Sequence, residues 1–197
     1  MSPRQHGATT VATDGRCFTY VFPCQWEDHC KIGFSRDPLG RIASLHPRWF
    51  DFFDLRRGLL VEAERERDAR DLELQLRRPL RAHNAPAPMA IRVAAGGQTE
   101  WFRGAGDALA LAVAGLQAQG YRVFALHDWL QAAMAQRIDR LHDWSAVQLS
   151  PDELDGLTGP TPAQRTLRDL LDGYRALDLP LQAHLPERVW AWYQRNG

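Results

Sequence analysis

Three side chains close together in the sequence have the types and spacing for chemistry. Tyr20, Lys31 and Arg41 stand eleven and ten residues apart within the stretch YVFPCQWEDHCKIGFSRDPLGR. Tyr and Lys side chains ordinarily titrate at about 10 to 10.4, so either acts as a base near neutrality only where burial or nearby charge lowers that value. Lys31 is the only Lys in a chain whose other twenty-three basic residues are all Arg. An ammonium kept at one position invites a role for a group that can lose its proton; a chance Lys at the start of a strand is the alternative. Arg41 adds a cation that never titrates in a protein.

The elements that must position these groups are legible around them. CFTYVFP is rich in aromatic and branched residues and predicts a strand ending at Pro23, with Phe18, Tyr20 and Phe22 on one face. After the polar loop Gln25 to His29, Cys30 to Phe34 predicts a second strand, and so short a loop implies an antiparallel hairpin. Asp37-Pro38 is an N-cap followed by proline at the first helical position, opening a helix over Leu39 to Leu45. On that helix Leu39, Ile42 and Ala43 share a side, and Arg41 falls roughly opposite, toward a cleft. Arg36, just before the cap, and His46, at the helix end, are candidate substrate-binding residues. His46 could donate to a phosphate, or simply sit favourably at a helix C-terminus.

Further along, FDFFDLRRGLLVE predicts a third strand completing a small antiparallel sheet, and Ala63 to Ala82 a long charged helix. On it Ala69, Leu72, Leu76 and Leu80 form an apolar stripe. Glu73 borders the stripe and can face the sheet, or can pair with Arg77 one turn later as an exposed ion pair, which helix geometry alone favours.

These residues resemble the GIY-YIG nuclease superfamily, and within it the phage branch whose second motif reads KIG. The likeness rests on FTYVF as first motif, KIGFS with DPLGRIASL as second motif and its helix, a glutamate in the long helix that follows, and EWF at 100 to 102. Lys31 stands where the wider family has a second tyrosine, the first motif lacks its usual glycine, and EWF replaces the terminal asparagine of many members. The resemblance implies a metal-dependent endonuclease that hydrolyses phosphodiester bonds of DNA, with RNA not excluded. It implies that Glu73 binds one Mg²⁺ or Mn²⁺, that Arg41 holds the scissile phosphate, and that Tyr20 beside Lys31 helps deprotonate the attacking water. The alternative is a nuclease-like adaptor without catalysis that binds a protein or nucleic acid through its helical C-terminal half.

Composition bounds the remaining possibilities. At 197 residues, 45% hydrophobic and 24% charged, the chain is of ordinary globular type, with room for one domain and an accessory unit. No segment is apolar enough to predict a membrane span. Residues 1–12 are polar, lack the apolar core of a signal peptide and read as a flexible arm. Three cysteines within 17–30 do not make a disulfide framework, so a cytoplasmic setting is expected. Cys24, His29 and Cys30 lack the second pair of ligands that a zinc site requires, and read as two buried thiols and a loop histidine. Residues 15–104 carry fifteen Lys and Arg against twelve Asp and Glu, and 105–197 carry eight against eleven. Phosphate contacts dominate non-specific nucleic-acid affinity, so the first half is the expected nucleic-acid face.

The expected architecture is α/β (α+β): a module over 13–125, a three-stranded antiparallel sheet flanked by helices, then an all-helical region over 126–197 that offers a protein-binding or self-association surface. Residues 83–98 read as a loop and Glu100 as a surface residue at a strand end, while Trp101 and Phe102 read as core. Tyr121 to Leu126 reads as an edge strand or a turn. Ser150 to Glu153 and Thr161 to Gln164 are capping boxes, each with proline at the first helical position, and Pro186 opens the last helix.

Overall fold

The structure is a computed structural model that describes residues 16–93, 97 and 99–196. The expected N-terminal arm lies outside the described residues. The fold is mixed α/β. Strands β1 (Cys17–Pro23), β2 (His29–Ser35), β3 (Leu59–Ala63), β4 (Trp101–Arg103) and β5 (Val123–Ala125) form one antiparallel sheet in the order β4-β2-β1-β3-β5. The three strands expected from the sequence are its centre; of the two readings of Tyr121 to Leu126 the edge strand holds, as β5, and β4 widens the sheet on the other side. These two additions have three residues each, too few to show an alternating pattern in the sequence.

The third strand also begins later than expected. Trp49–Phe52 is a short helix, α2, and only Leu59–Ala63 enters the sheet. Asp54 marks the break: its Oδ1 accepts from the backbone N–H groups of Arg56 and Arg57, both at 3.1 Å. This Asp-centred turn separates two aromatic and branched runs that read as one in the sequence.

Helix α1 (Pro38–Leu45) is capped as expected, with Asp37 accepting from the Gly40 N–H at 2.9 Å. The long charged helix is α3 (Glu66–Arg77), shorter than expected because the chain tightens into a 3₁₀ turn over Arg78–His83 that carries Pro79. Then come α4 (Gly106–Ala118), which stops before Gly120 at φ 97°, and α5 (Leu126–Ala135). After α5 a 3₁₀ turn over Ile138–Arg140 leads into α6 (Leu141–Ala146). The chain closes with α7 (Pro151–Asp155), α8 (Pro162–Ala176) and α9 (Glu187–Asn196). Both capping boxes form.

The sheet divides the protein into two apolar layers. Residues Cys17, Val21, Ile32, Val61 and Phe102 pack against Ala69, Leu72 and Leu76 of α3 and Leu109 and Val113 of α4. On the other face Phe18, Tyr20, Phe22, Leu60 and Trp101 join Leu39 and Ile42 of α1, Phe50 of α2 and Trp192 of α9 in a single cluster. The helices beyond residue 126 therefore cover one face of the sheet. Arg48 ties them down: its Nη1 donates to Asp169 at 2.8 Å and Asp172 at 3.0 Å on α8, while Nη2 and Nε hold Asp51. Gly173 supports the same junction, since a Cβ there would lie 3.4 Å from both Trp49 and Phe50.

Among the described residues no helix is long and apolar enough to cross a membrane.

Candidate active site

Tyr20 sits in the middle strand, paired across the ladder with Gly33 on one side and Leu60 on the other. It is 1% exposed. Its phenol crosses directly over Gly33: a Cβ built there would collide with the hydroxyl and would lie 2.6 Å from Cζ. The glycine of KIG is thus the seat of the tyrosine. Stacking on Phe22, with centroids 4.1 Å apart, fixes the ring from the side.

Arg41 reaches this phenol from α1, as expected for a residue opposite the helix's apolar side. Its Nε donates to the Tyr20 hydroxyl at 3.1 Å. Burial pushes the phenol up to about 12, and the Arg41 cation opposes that rise. The resting side chain is therefore an uncharged phenol at neutral pH, with one lone pair held by a guanidinium.

Lys31 lies on the same face, opposite Phe22 on β1 and Trp101 on β4, and is fully buried. Its ammonium donates to the Gly97 carbonyl at 3.0 Å and to Glu100 Oε2 at 2.9 Å, and sits 5.3 Å from the centre of the Trp101 ring. Burial pulls its proton affinity below the ordinary lysine value, and the hydrogen bond to Glu100 pulls it back up.

Glu73 comes from the opposite layer. Thr19 anchors α3 to β1 by donating to the Ala69 carbonyl at 2.7 Å, one turn before Glu73. The carboxylate is 5% exposed and accepts from Arg77 Nη1 at 2.6 Å. Both sequence readings of this residue hold in part: the i,i+4 pair forms, but it is buried at the sheet instead of lying on a solvated face. Its charge acts on both Tyr20 and Lys31, raising the proton affinity of each.

Residues 99 and 100 link the two halves. Arg77 Nη2 donates to the Thr99 carbonyl at 3.3 Å, Ile32 N–H donates to the Glu100 carbonyl at 3.0 Å, and the Glu100 side chain holds Lys31. Tyr20 and Arg41 are thus in direct contact, Lys31 shares their face of the sheet, and Glu73, from the other layer, lies close enough for its charge to act on Tyr20 and Lys31. The expectation that Glu100 is a surface residue gives way to a carboxylate only 26% exposed and bound to the buried lysine. A lysine on the Tyr20 and Phe22 side of a central strand needs a counter-ion, but the pairing of β4 with Lys31 that brings Glu100 to it is encoded by no local pattern.

The remaining candidates are engaged elsewhere. Arg36 is 74% exposed and pairs with Glu66 at 3.2 Å. His46 caps α1 at its C-terminus, accepts the Arg48 N–H on Nδ1 at 3.2 Å and stacks on Phe52 with centroids 4.6 Å apart. Acceptance at Nδ1 leaves the proton of the neutral ring on Nε2. The three cysteines are buried free thiols, with Cys24 and Cys30 assigned to opposite apolar layers. A cavity of about 600 Å³ lies away from this cluster, bounded by Glu62, Asp68, Asp71 and Arg122.

Among the described residues, no group of three or more His, Cys, Asp or Glu side chains is arranged to hold a metal ion. Glu73 offers a single carboxylate. A hard cation such as Mg²⁺ keeps several waters and is commonly held by one or two carboxylates together with substrate phosphate oxygens, so this donor set suits a site shared with substrate.

Comparison with protein-family models, with curated protein sequences and with solved structures finds no match.

Proposed function

We propose that the protein is an endonuclease of GIY-YIG type, cleaving phosphodiester bonds of DNA with Mg²⁺ or Mn²⁺. The observation that carries this reading is the 3.1 Å bond from Arg41 to Tyr20 in the middle of the sheet, with the buried Glu73 acting on the same phenol. A permanent cation, a phenol and a carboxylate from three separate elements are what in-line attack of water on phosphorus needs. Arg41 would hold a non-bridging oxygen of the scissile phosphate and stabilise the charge that builds on it. Tyr20, once its own proton has passed to solvent, would take a proton from the attacking water as the water oxygen bonds to phosphorus and the bond from phosphorus to the leaving sugar oxygen breaks, that oxygen taking its proton from solvent. Glu73 would hold the cation, which when bound supplies the positive charge that activates water and helps the phenol to give up its proton. Arg36 and the Nε2–H of His46 would contact flanking phosphates.

A second reading has its own support. Glu73 is already bound by Arg77, and Lys31 by Glu100, so the pocket is balanced without substrate. A nuclease-like adaptor that binds a protein or nucleic acid without cutting would show this balance. Calorimetric titration of Mn²⁺ into the full-length protein with a short DNA duplex separates the two. The nuclease takes up the ion with an affinity lost in Glu73→Ala, whereas the adaptor gives the same heats in both proteins.

A further inference from the structure

Lys31 is the only lysine in the chain, it is fully buried, and both of its polar partners are acceptors. The Gly97 carbonyl and the half-buried Glu100 carboxylate both take hydrogens from the nitrogen, and the negative charge of Glu100 is what favours the charged form at a position removed from water. The geometry around Lys31 is closed as well. Gly97 has φ +71°, which favours glycine, and a Cβ there would collide with the Lys31 ammonium and lie 2.5 Å from Glu100 Oε2. The backbone at Gly97 is thus shaped to the ion pair.

We propose that Glu100 is a positioning residue that fixes Lys31 as a permanent ammonium, so that Lys31 serves the site as a fixed cation and not as a proton acceptor. The catalytic part of this inference rests on the nuclease reading; the ion pair itself does not. The charged groups acting on Lys31 are Glu100 beside β4, Arg41 on α1 and Glu73 on α3, with the Tyr20 phenol on β1 nearby. Arg41 opposes the ammonium, and both carboxylates favour it. Loss of the Lys31 proton would leave the Glu100 carboxylate without its counter-charge and repelling an approaching phosphate.

The single lysine makes the test direct. Full-length protein labelled with ¹⁵N-lysine gives one side-chain signal, whose nitrogen shift and proton multiplicity distinguish ammonium from amine. The expected result is a slowly exchanging ammonium at neutral pH, and in Glu100→Gln a titration at least about tenfold weaker in proton affinity, one pH unit lower. An amine signal in the wild-type protein at neutral pH overturns the proposal, as does a Glu100→Gln titration that matches wild type. If Glu100→Gln does not fold, the wild-type titration decides alone. The signal is read without any cleavage: an ammonium in a protein that cuts nothing refutes the nuclease reading and keeps the ion pair, whereas an amine in an active enzyme does the reverse.

Discussion

Tyr20 and Gly33 face each other across the β1–β2 ladder, and the phenol occupies the space a side chain at 33 would need. Gly33→Ala therefore forces either the ring or the strand to move. Overpacking of this kind costs about 1 to 3 kcal/mol, which urea unfolding would measure. Because the displaced ring would also leave Arg41, cleavage should fall by far more than the stability loss explains. Wild-type cleavage by the alanine variant would mean that the phenol's seat is unimportant.

Thr19 holds α3, and with it Glu73, against the sheet through a buried bond of 2.7 Å to the Ala69 carbonyl. Thr19→Val keeps the shape and removes the donor, so unfolding free energy should drop by about 1 kcal/mol. Mn²⁺ affinity at Glu73 should weaken alongside it. A variant with unchanged stability would show that packing of Leu72 and Leu76 alone fixes the helix.

Arg48 joins α2 to α8 through Asp169 and Asp172 and also binds Asp51. The side chain is 40% exposed, which limits the gain from each pair, yet its removal leaves three carboxylates facing one another. Arg48→Ala should lower stability by about 1 to 2 kcal/mol, with much of the loss restored in the double variant Arg48→Ala, Asp172→Asn. Thermal unfolding of the four proteins in the cycle measures the coupling, and strict additivity would argue against a clamp.

Alkaline pH should weaken the fold. Burial pushes Cys24 and Cys30 from an ordinary 9.0 up to about 12, with nearby negative charges adding to the rise. It likewise pushes Tyr20 and Tyr193 from 10.0 up to about 12. Each group keeps its proton longer folded than unfolded, so the unfolded chain loses protons first and stability declines as pH climbs from about 9 toward 12. Lys31, pulled below 10.5, acts in the opposite sense, but it is one group against these four, and burial raises Cys17 and Tyr174 as well. Unfolding free energy at pH 11 should lie clearly below that at pH 8. Equal stability at both would contradict the burial of these groups.

How much of this was readable in the sequence differs between residues for physical reasons. The hairpin, the Asp37 cap and the two capping boxes rest on local chemistry, and each forms where expected. The helical start at Trp49 was hidden because aromatic residues suit strands and helix–sheet junctions alike. The edge strands β4 and β5 pair with residues about seventy and sixty positions earlier, and no local pattern encodes such distant partners. Tyr20, Lys31 and Arg41 could be singled out because the motifs around them resemble the GIY-YIG pattern, and strand and helix periods set their directions. Glu100 and Gly97 could not, because their importance comes from a buried lysine they meet only in the folded chain.

The central claim is that a phosphate and a divalent cation can be held together by Arg41, Tyr20 and Glu73. Supercoiled plasmid incubated with the purified full-length protein and Mg²⁺ or Mn²⁺ tests it most directly, alongside folded Arg41→Ala and Glu73→Ala variants. The expected result is nicked or linear product from the wild type, none with the metal chelated, and at least a hundredfold slower cleavage by either variant, on the order of 3 kcal/mol of lost transition-state stabilisation. Undiminished cutting by both variants, or no cutting by the wild type with either metal, would contradict it.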